Sequence, residues 1–153
     1  MFTLSKAITI TAILLASSAS ADQIQNLMDD NKCIRCDLSS ANLSGIDLTG
    51  ADLRSTNLNG ANLDGANLNG ADFTESSLIG ADLRSTNLAG ANLTEANLFG
   101  ADLTGADLTG TNLAGANLGG ADLDGANLKQ TNMIGAILCN TIVPNGSVLF
   151  SGC

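Results

Sequence analysis

One five-residue pattern repeats without interruption between Cys36 and Asn145, and it limits the possible folds more than any other feature of the chain. The five positions are small (Ala or Thr), Asp or Asn, Leu, variable, and Gly, so that residues 101–105 read Ala-Asp-Leu-Thr-Gly. Leu holds the third position in 19 of 22 copies, and no copy is longer or shorter than five residues. A leucine kept at one phase over this distance predicts a continuous buried column, which a disordered chain lacks.

The period excludes the two common regular structures. Apolar residues at the first and third of every five positions do not match the period of an α-helix or of a coiled coil. The polar positions after Leu also break the two-residue alternation of a long strand. The pattern instead predicts a short extended segment whose small residue and Leu face inward. A turn follows at the variable and Gly positions, where Gly accepts backbone angles that other residues avoid.

Four such segments close a square coil of about twenty residues, and successive coils stack at the strand spacing of about 4.8 Å. The 22 copies of residues 36–145 then form about five and a half coils. Each coil contacts mainly its neighbours, so the chain is predicted to be a single-domain solenoid of the all-β class.

The uninterrupted Ala-(Asp/Asn)-Leu-x-Gly pattern resembles that of the pentapeptide-repeat family, and the resemblance covers about 110 of the 153 residues. It implies a right-handed quadrilateral β-helix. The segment Cys-x-x-Cys-Asp-Leu-Ser at residues 33–39 and the cysteine-containing tail resemble exported pentapeptide-repeat proteins of cyanobacteria and of the chloroplast lumen.

Residues 1–21 have the features of an export signal. Lys6 provides the positive start, residues 7–15 are an apolar run, and Ala-Ser-Ala precedes a cleavage point after Ala21. The alternative is that these residues form an N-terminal helix of the mature fold or a membrane anchor. The apolar run is, however, too short to cross a bilayer of about 30 Å. Cleavage would leave a mature chain beginning at Asp22. We therefore expect an exported protein of the periplasm or thylakoid lumen, without stable membrane insertion.

Residues 22–35 are predicted to close the N-terminal end of the solenoid. Asp22 and Gln25 resemble a capping box, and Ile24, Leu27 and Met28 share one face of a short helix over residues 22–31. A helix over the end would protect strand edges that otherwise promote aggregation. The alternative is a helix that docks a partner.

The C-terminal tail is predicted to close the other end. Pro-Asn-Gly at residues 144–146 is a turn signal, and the tail 146–153 contains Val148, Leu149 and Phe150. These residues are apolar enough to fold over the last coil as a second cap. Two capped ends favour a monomer.

The four cysteines allow three disulfide pairings. Stacking separates Cys33 and Cys36 from Cys139 and Cys153 by about 26 Å, whereas the Cα atoms of a disulfide lie within about 7 Å. The pairing Cys33–Cys36 and Cys139–Cys153 remains, with one crosslink at each end. The alternative for Cys33 and Cys36 is a redox-active pair, which usually starts a helix in a βαβ unit that this sequence lacks. The same separation excludes a four-cysteine zinc site within one chain.

Residues twenty apart stack in columns, so surface features follow directly from the sequence. Asp82, Asp102 and Asp122 form one outward column with carboxylates about 4.8 Å apart. Stacked like charges raise one another's pKa, and Ca²⁺ prefers carboxylate oxygens. The column is therefore a candidate calcium site, with a solvated acidic face as the alternative. The sequence indicates no other metal and no cofactor.

A second outward column places Ile79 directly beside Phe99 of the next coil. This is the one clear apolar pair in the middle of the rod. It is a candidate docking patch for a protein, and two tolerated exposed residues are the alternative.

An identical octapeptide, Ala-Asp-Leu-Arg-Ser-Thr-Asn-Leu, occupies residues 51–58 and 81–88. Its two copies are thirty residues apart, which is one and a half coils. Arg54 and Arg84 are therefore predicted to lie on opposite sides of the rod.

The composition favours a non-enzymatic function. The chain has no His, Tyr or Trp, and a filled solenoid offers no cleft for catalysis. A net charge of −9 disfavours nucleic-acid binding. An acidic rod can instead imitate DNA, and some pentapeptide-repeat proteins protect DNA gyrase in this way, but those targets are cytoplasmic. The sequence favours an exported scaffold or protein-interaction module with an unidentified partner. The alternatives are a DNA mimic and a thiol-redox protein acting through Cys33 and Cys36.

Overall fold

The computed structural model describes residues 21–153. Its regular elements are helix α1 (Ala21–Asp30) and two strands, β1 (Leu138–Ile142) and β2 (Val148–Ser151). Between α1 and β1 the chain forms a stack of turns that are linked by isolated parallel bridges. The extended segments are too short to count as strands, because each face of a coil contributes only one bridging residue.

Every isolated bridge joins residues twenty positions apart. The series begins with Lys32 paired to Asp52 and ends with Asp122 paired to Ile142. The coil of twenty residues that the repeat predicted is therefore confirmed.

The coils begin one repeat earlier than the sequence pattern indicated. The amide of Cys33 donates to the carbonyl of Asp52 at 2.8 Å, and the amide of Arg35 donates to that of Arg54 at 3.0 Å. Residues 31–35 thus form a face of the first coil, and Cys33 takes the place of the central leucine. The Leu-based pattern missed this copy because its core position is a cysteine.

The fifth residue of each repeat turns the chain in a left-handed backbone conformation. From Arg35 to Asn140, every fifth residue has a φ between 54° and 73°, whether it is glycine or not. Gly is favoured there because a side chain in this region costs about 1–2 kcal/mol. Glu75 and Glu95 occupy the same corner, so the stack imposes the angle on residues that disfavour it.

The Asp or Asn at the second position has a local structural cause. Its side-chain oxygen accepts a hydrogen bond from the backbone amide two residues later, as from Thr104 to Asp102 at 3.0 Å and from Phe99 to Asn97 at 3.2 Å. This Asx turn closes the corner that leads into the left-handed residue. The sequence pattern indicated that this position faces outward but did not reveal the hydrogen bond.

The small and central positions fill the interior along the whole rod. From Leu38 to Leu123, every central side chain is almost completely buried, and the intervening alanines are buried beside them. Where Thr replaces Ala, its hydroxyl donates to a backbone carbonyl, as from Thr111 to Leu88 at 2.7 Å and from Thr141 to Leu118 at 2.7 Å. Among the described residues, Ser76 Oγ is the one buried side-chain atom without a hydrogen-bond partner.

The two ends of the rod differ. Ile24 and Leu27 of α1 are buried in the same apolar cluster as the leucine column, so the helix covers the first coil. At the other end, Leu128, Met133 and Leu138 are only partly buried. The apolar interior of the last coil therefore remains partly open to solvent.

The C-terminal tail does not fold over the last coil, contrary to the expectation of a second cap. It turns back beside β1, and β2 pairs with β1 in an antiparallel hairpin from Leu138 opposite Ser151 to Ile142 opposite Val148. All four residues of β2 are exposed. The tail therefore extends the wall of the last coil instead of filling its open end, because a hairpin pairs through the backbone at the strand edge.

The predicted export signal lies outside the described residues, except for Ala21, which is the first residue of α1. Within residues 21–153, no helix is both long and apolar enough to cross a membrane.

We expect Ser76→Ala to raise the free energy of unfolding by about 1 kcal/mol, because it removes a buried hydroxyl that no group satisfies. Ser76 is 2% exposed and occupies the small position, where Ala is the commonest residue. The measurement is denaturant unfolding followed by circular dichroism, since the chain has no Trp or Tyr for fluorescence.

Thr111→Val is the matched control, because it removes a buried hydroxyl that does have an acceptor. It should lower the free energy of unfolding by about 1 kcal/mol. A loss of stability in Ser76→Ala would mean that the Ser76 hydroxyl has a partner in solution.

Candidate interaction surface

The predicted pair of Ile79 and Phe99 lies in one column of the rod. The amide of Gly80 donates to the carbonyl of Phe99 at 3.0 Å, and the amide of Gly100 donates to that of Gly119 at 2.9 Å. These bonds place residues 79, 99 and 119 at the same position of successive coils. Ile79 is 40% exposed and Phe99 is 54% exposed, so both present apolar surface to solvent.

The ring of Phe99 lies over Gly119. A Cβ at position 119 would be 3.2 Å from Phe99 Cδ2 and 3.1 Å from Asn117 Oδ1, closer than real Cβ atoms normally approach other atoms. Gly119 does not have a positive φ, so the turn does not require glycine there, and a side chain at this position would crowd the Phe99 ring. The missing side chain gives the Phe99 ring a backbone surface on which to rest.

Two further apolar side chains lie on this side of the rod. Ile137 pairs with Asn117 of the preceding coil and is 40% exposed. Phe150 of β2 lies opposite Cys139, the next residue in the Phe99 column, and is 70% exposed. Directly opposed residues of an antiparallel pair project to the same face. We call Ile79, Phe99, Ile137 and Phe150 the apolar side.

The sequence pattern found only the first half of the apolar side. Ile137 occupies a position where Asp or Asn is usual, and this replacement was a signal that could have been used. Phe150 could not have been found in this way, because the hairpin register and not the five-residue period brings it beside Cys139.

The four cysteines lie at the two ends in the predicted pairs. Cys33 Sγ is bonded to Cys36 Sγ, with their Cα atoms 5.3 Å apart. Cys139 Sγ is bonded to Cys153 Sγ, with their Cα atoms 4.9 Å apart. The second crosslink closes the end of the β1–β2 hairpin.

The surroundings of Cys33 do not fit a redox-active thiol. Cys33 is 2% exposed and packs with Ile24 and Leu27 beneath α1. The carbonyl oxygen of Gln23 lies 3.4 Å from its sulfur. A catalytic cysteine needs an accessible sulfur, and buried Cys33 does not provide one.

The aspartate column of Asp82, Asp102 and Asp122 is not arranged as a calcium site. Arg84 Nε donates to Asp82 Oδ1 at 2.8 Å and Arg84 Nη2 to Asp82 Oδ2 at 2.6 Å. Arg84 also approaches Asp102, with Nε 3.8 Å from Oδ2. Among residues 21–153, no group of three acidic, His or Cys side chains is placed to hold a metal. An arginine therefore occupies the place where the cation was expected.

The expectation that stacking raises the carboxyl pKa values is wrong for Asp82. The hydrogen bonds and charge of Arg84 hold the pKa of Asp82 below its usual value, while burial opposes this effect only partly. The expectation rested on Asp–Asp repulsion along the column, whereas the arginine two residues after Asp82 forms an ion pair with it.

The octapeptide repeats this arrangement elsewhere on the rod. Arg54 donates to both carboxylate oxygens of Asp52, at 2.7 and 2.8 Å, and its Nε lies 3.9 Å from Asp72 Oδ2. The local sequence therefore determines the ion pair, whichever face of the rod it occupies.

A solvent-open depression of about 280 Å³ lies near the N-terminal end. Its lining residues are Ile34, Arg35, Arg54, Ser55, Thr74 and Glu75. Arg54 is paired with Asp52, and the other charged residues of the lining are Arg35 and Glu75.

The repeats of this chain match the family model for pentapeptide repeats, in three segments that cover residues 32–70, 66–105 and 106–142. The chain belongs to the pentapeptide-repeat family. The right-handed β-helix is the fold that this family membership implies for the coils. The match begins at residue 32, in agreement with the early start of the coils.

Solved structures of the family resemble this chain. The pentapeptide repeat protein Rfr23 from the cyanobacterium Cyanothece is 31% identical with a TM-score of 0.74, over 75% of this chain and 92% of that one. HetL from Nostoc, which is involved in regulating heterocyst differentiation, is 32% identical with a TM-score of 0.35, over 77% and 68%. A protein from the Arabidopsis thaliana thylakoid lumen is 32% identical with a TM-score of 0.32, over 65% and 63%. A search of curated proteins finds no match.

We expect the stability of the protein to fall as the pH drops below about 4. The pKa values of Asp37, Asp52, Asp82 and Asp107 are lowered in the folded state, each chiefly by a side-chain hydrogen bond. A carboxyl group whose pKa is lowered by folding stabilises the folded state at any pH above its unfolded-state pKa. This stabilisation is lost as the pH falls through the folded-state pKa. Melting temperatures from pH 7 to pH 2 measure this effect.

Arg84→Met tests the contribution of the ion pair. It should lower the melting temperature slightly at pH 7, because exposed pairs are screened by water and salt, and the difference should disappear once Asp82 is protonated. Arg54→Met should behave in the same way, since its contacts are the same. A difference that persists at pH 2 would show that arginine acts through packing of its stem.

Proposed function

We propose that this protein is an exported, non-enzymatic scaffold that binds another protein through its apolar side. The observation that carries the proposal is the stacking of exposed Ile79 and Phe99 in one column of a rod whose other outward positions are mostly polar. Neighbouring coils hold these two side chains in a fixed relation, so they form a preorganised surface. Aromatic residues on such surfaces commonly dominate binding.

The partner is expected to offer an apolar pocket with a basic rim. Phe99 fits a pocket because it is 54% exposed and its ring is supported from one side by Gly119. The protein carries a net charge of −9 before cleavage and would be more negative after losing Lys6. Charge of this sign steers basic surfaces and contributes mainly to the rate of association.

The compartment and the crosslinks belong to the same proposal. An export signal at residues 1–21 would deliver the chain to the periplasm or thylakoid lumen, where disulfides persist. One crosslink would then close a corner of the first coil, and the other would hold the C-terminal tail against β1. Secure ends suit a scaffold because an open solenoid edge can pair with other chains.

Intact mass spectrometry of the natively exported protein tests the compartment. We expect a chain that begins at Asp22 and lacks four hydrogens, with no cysteine available for alkylation. A full-length product with four alkylated cysteines would contradict both export and crosslinking. The hypothesis of a DNA mimic would then become the stronger proposal, since the targets of such mimics are cytoplasmic.

Phe99→Asp tests the apolar side. We expect binding of the partner isolated with the wild-type protein to weaken at least tenfold, because an aspartate cannot fill an apolar pocket. The substitution should leave the fold intact, since Asp64 and Asp124 occupy the same repeat position elsewhere. Affinity measured by calorimetry or surface plasmon resonance gives the comparison.

Ala89→Asp is the matched control, because position 89 is also the variable position of its repeat but lies on another face of the rod. It adds the same charge away from the apolar side and should leave affinity unchanged. Equal losses in both variants would show that net charge, and not the Phe99 contact, governs binding.

A further inference from the structure

The two disulfides differ in their accessibility to solvent. Cys33 is 2% exposed, and Cys36 is half-buried against the apolar cluster. Cys139 is only half-buried, and Cys153 is exposed at the C-terminus. A reagent that must reach a sulfur atom therefore finds an exposed cysteine in the C-terminal crosslink, whereas the N-terminal crosslink joins a buried cysteine to a half-buried one.

The strand that the exposed disulfide holds has little else to retain it. Val148, Leu149 and Phe150 are all exposed, so β2 gains little from apolar burial. It is attached by the antiparallel pairing with β1, whose register is interrupted by an irregularity between Cys139 and Thr141. A strand that pairs along one edge and buries no side chain contributes little to its own stability.

The partner strand, in contrast, is anchored to the rod independently of the tail. The amide of Gly120 donates to the carbonyl of Cys139 at 2.8 Å, and the amide of Leu123 donates to that of Ile142 at 2.8 Å. Loss of the crosslink would therefore release β2 and leave β1 in the last coil.

We propose that Cys139–Cys153 is a thiol–disulfide exchange site for dithiol reductants, and that its reduction releases β2 while the solenoid and Cys33–Cys36 stay intact. The inference rests on the oxidised cysteines of the proposed function but not on any binding partner. The reductant is identified by class as a protein or small molecule with two neighbouring thiols.

The exchange proceeds in two balanced steps. A thiolate of the reductant attacks Cys153 Sγ, the more exposed sulfur, and the Cys139–Cys153 bond breaks as Cys139 leaves as a thiolate and takes up a proton. The second thiol of the reductant, as a thiolate, then attacks the reductant sulfur that is bonded to Cys153 in the mixed disulfide. Cys153 leaves and is protonated. The reductant becomes a disulfide, and two electrons and two protons have passed to Cys139 and Cys153.

Release of β2 changes the apolar side and the strand edge together. Phe150 leaves its place opposite Cys139, whereas Phe99 and Ile79 remain in their coils. The edge of β1 that pairs with β2 loses its partner and becomes available to an extended segment. Such edges bind added strands through backbone hydrogen bonds.

The test is timed reduction of the oxidised full chain with dithiothreitol under native conditions. Aliquots are alkylated, and the labelled cysteines are identified by peptide mass. We expect Cys139 and Cys153 to be labelled at least tenfold faster than Cys33 and Cys36. Hydrogen exchange should accelerate in residues 147–152, while exchange in the middle coils and the circular dichroism spectrum should stay unchanged.

Two controls make the result decisive. In concentrated guanidinium chloride the rate difference should largely disappear, because it arises from folding. A Cys139→Ser, Cys153→Ser double variant should show fast exchange in residues 147–152 without reductant and no further change with it. Equal native rates for both disulfides, faster labelling of Cys33, an undiminished rate ratio in denaturant, or reduction that leaves exchange in residues 147–152 unchanged would each overturn the proposal. None of these readouts depends on whether a partner binds.

Discussion

The hydrogen bonds between successive coils are the interaction on which the rest of this structure depends. The amide of Leu98 donates to the carbonyl of Asn117 at 2.7 Å, and the amide of Gly100 donates to that of Gly119 at 2.9 Å. The same pair of bonds recurs at successive repeats, so each coil is in register with the next. Because the register never slips, leucines stack on leucines inside, and outward side chains stack in columns.

The same stacking adds contacts between coils to surface interactions that begin within a single repeat. Arg54 and Arg84 form equal ion pairs on different faces, because each needs only the aspartate two residues earlier. Each also approaches an aspartate of the next coil, which only stacking provides. The Phe99 ring likewise depends on Gly119, twenty residues away in sequence and adjacent in space.

The ends of the rod differ from its middle in how their apolar interior is covered. A middle coil has neighbours on both sides, whereas a terminal coil must cover its apolar interior or expose it. Helix α1 buries Ile24 and Leu27 at one end. The C-terminal hairpin leaves Leu128 and Met133 partly exposed at the other. The C-terminal end, whose apolar interior is only partly covered, also holds the more exposed disulfide. The weaker packing and the more accessible crosslink therefore lie at the same end of the rod.

The sequence alone determined the coil of twenty residues and the leucine column, and it predicted the cysteine pairs and the Ile79–Phe99 pair, because each depends on a strict period or on separation along the rod. The repeat period alone did not reveal the Asx turns or the Arg84–Asp82 pair. Both are local, but they depend on side-chain rotamers at the corner, which a period does not describe. It also did not place the tail. Phe150 reaches the apolar side through the register of an antiparallel hairpin, and no five-residue period specifies that register. Only the tertiary structure decided it, because the tail pairs along the strand edge instead of covering the last coil.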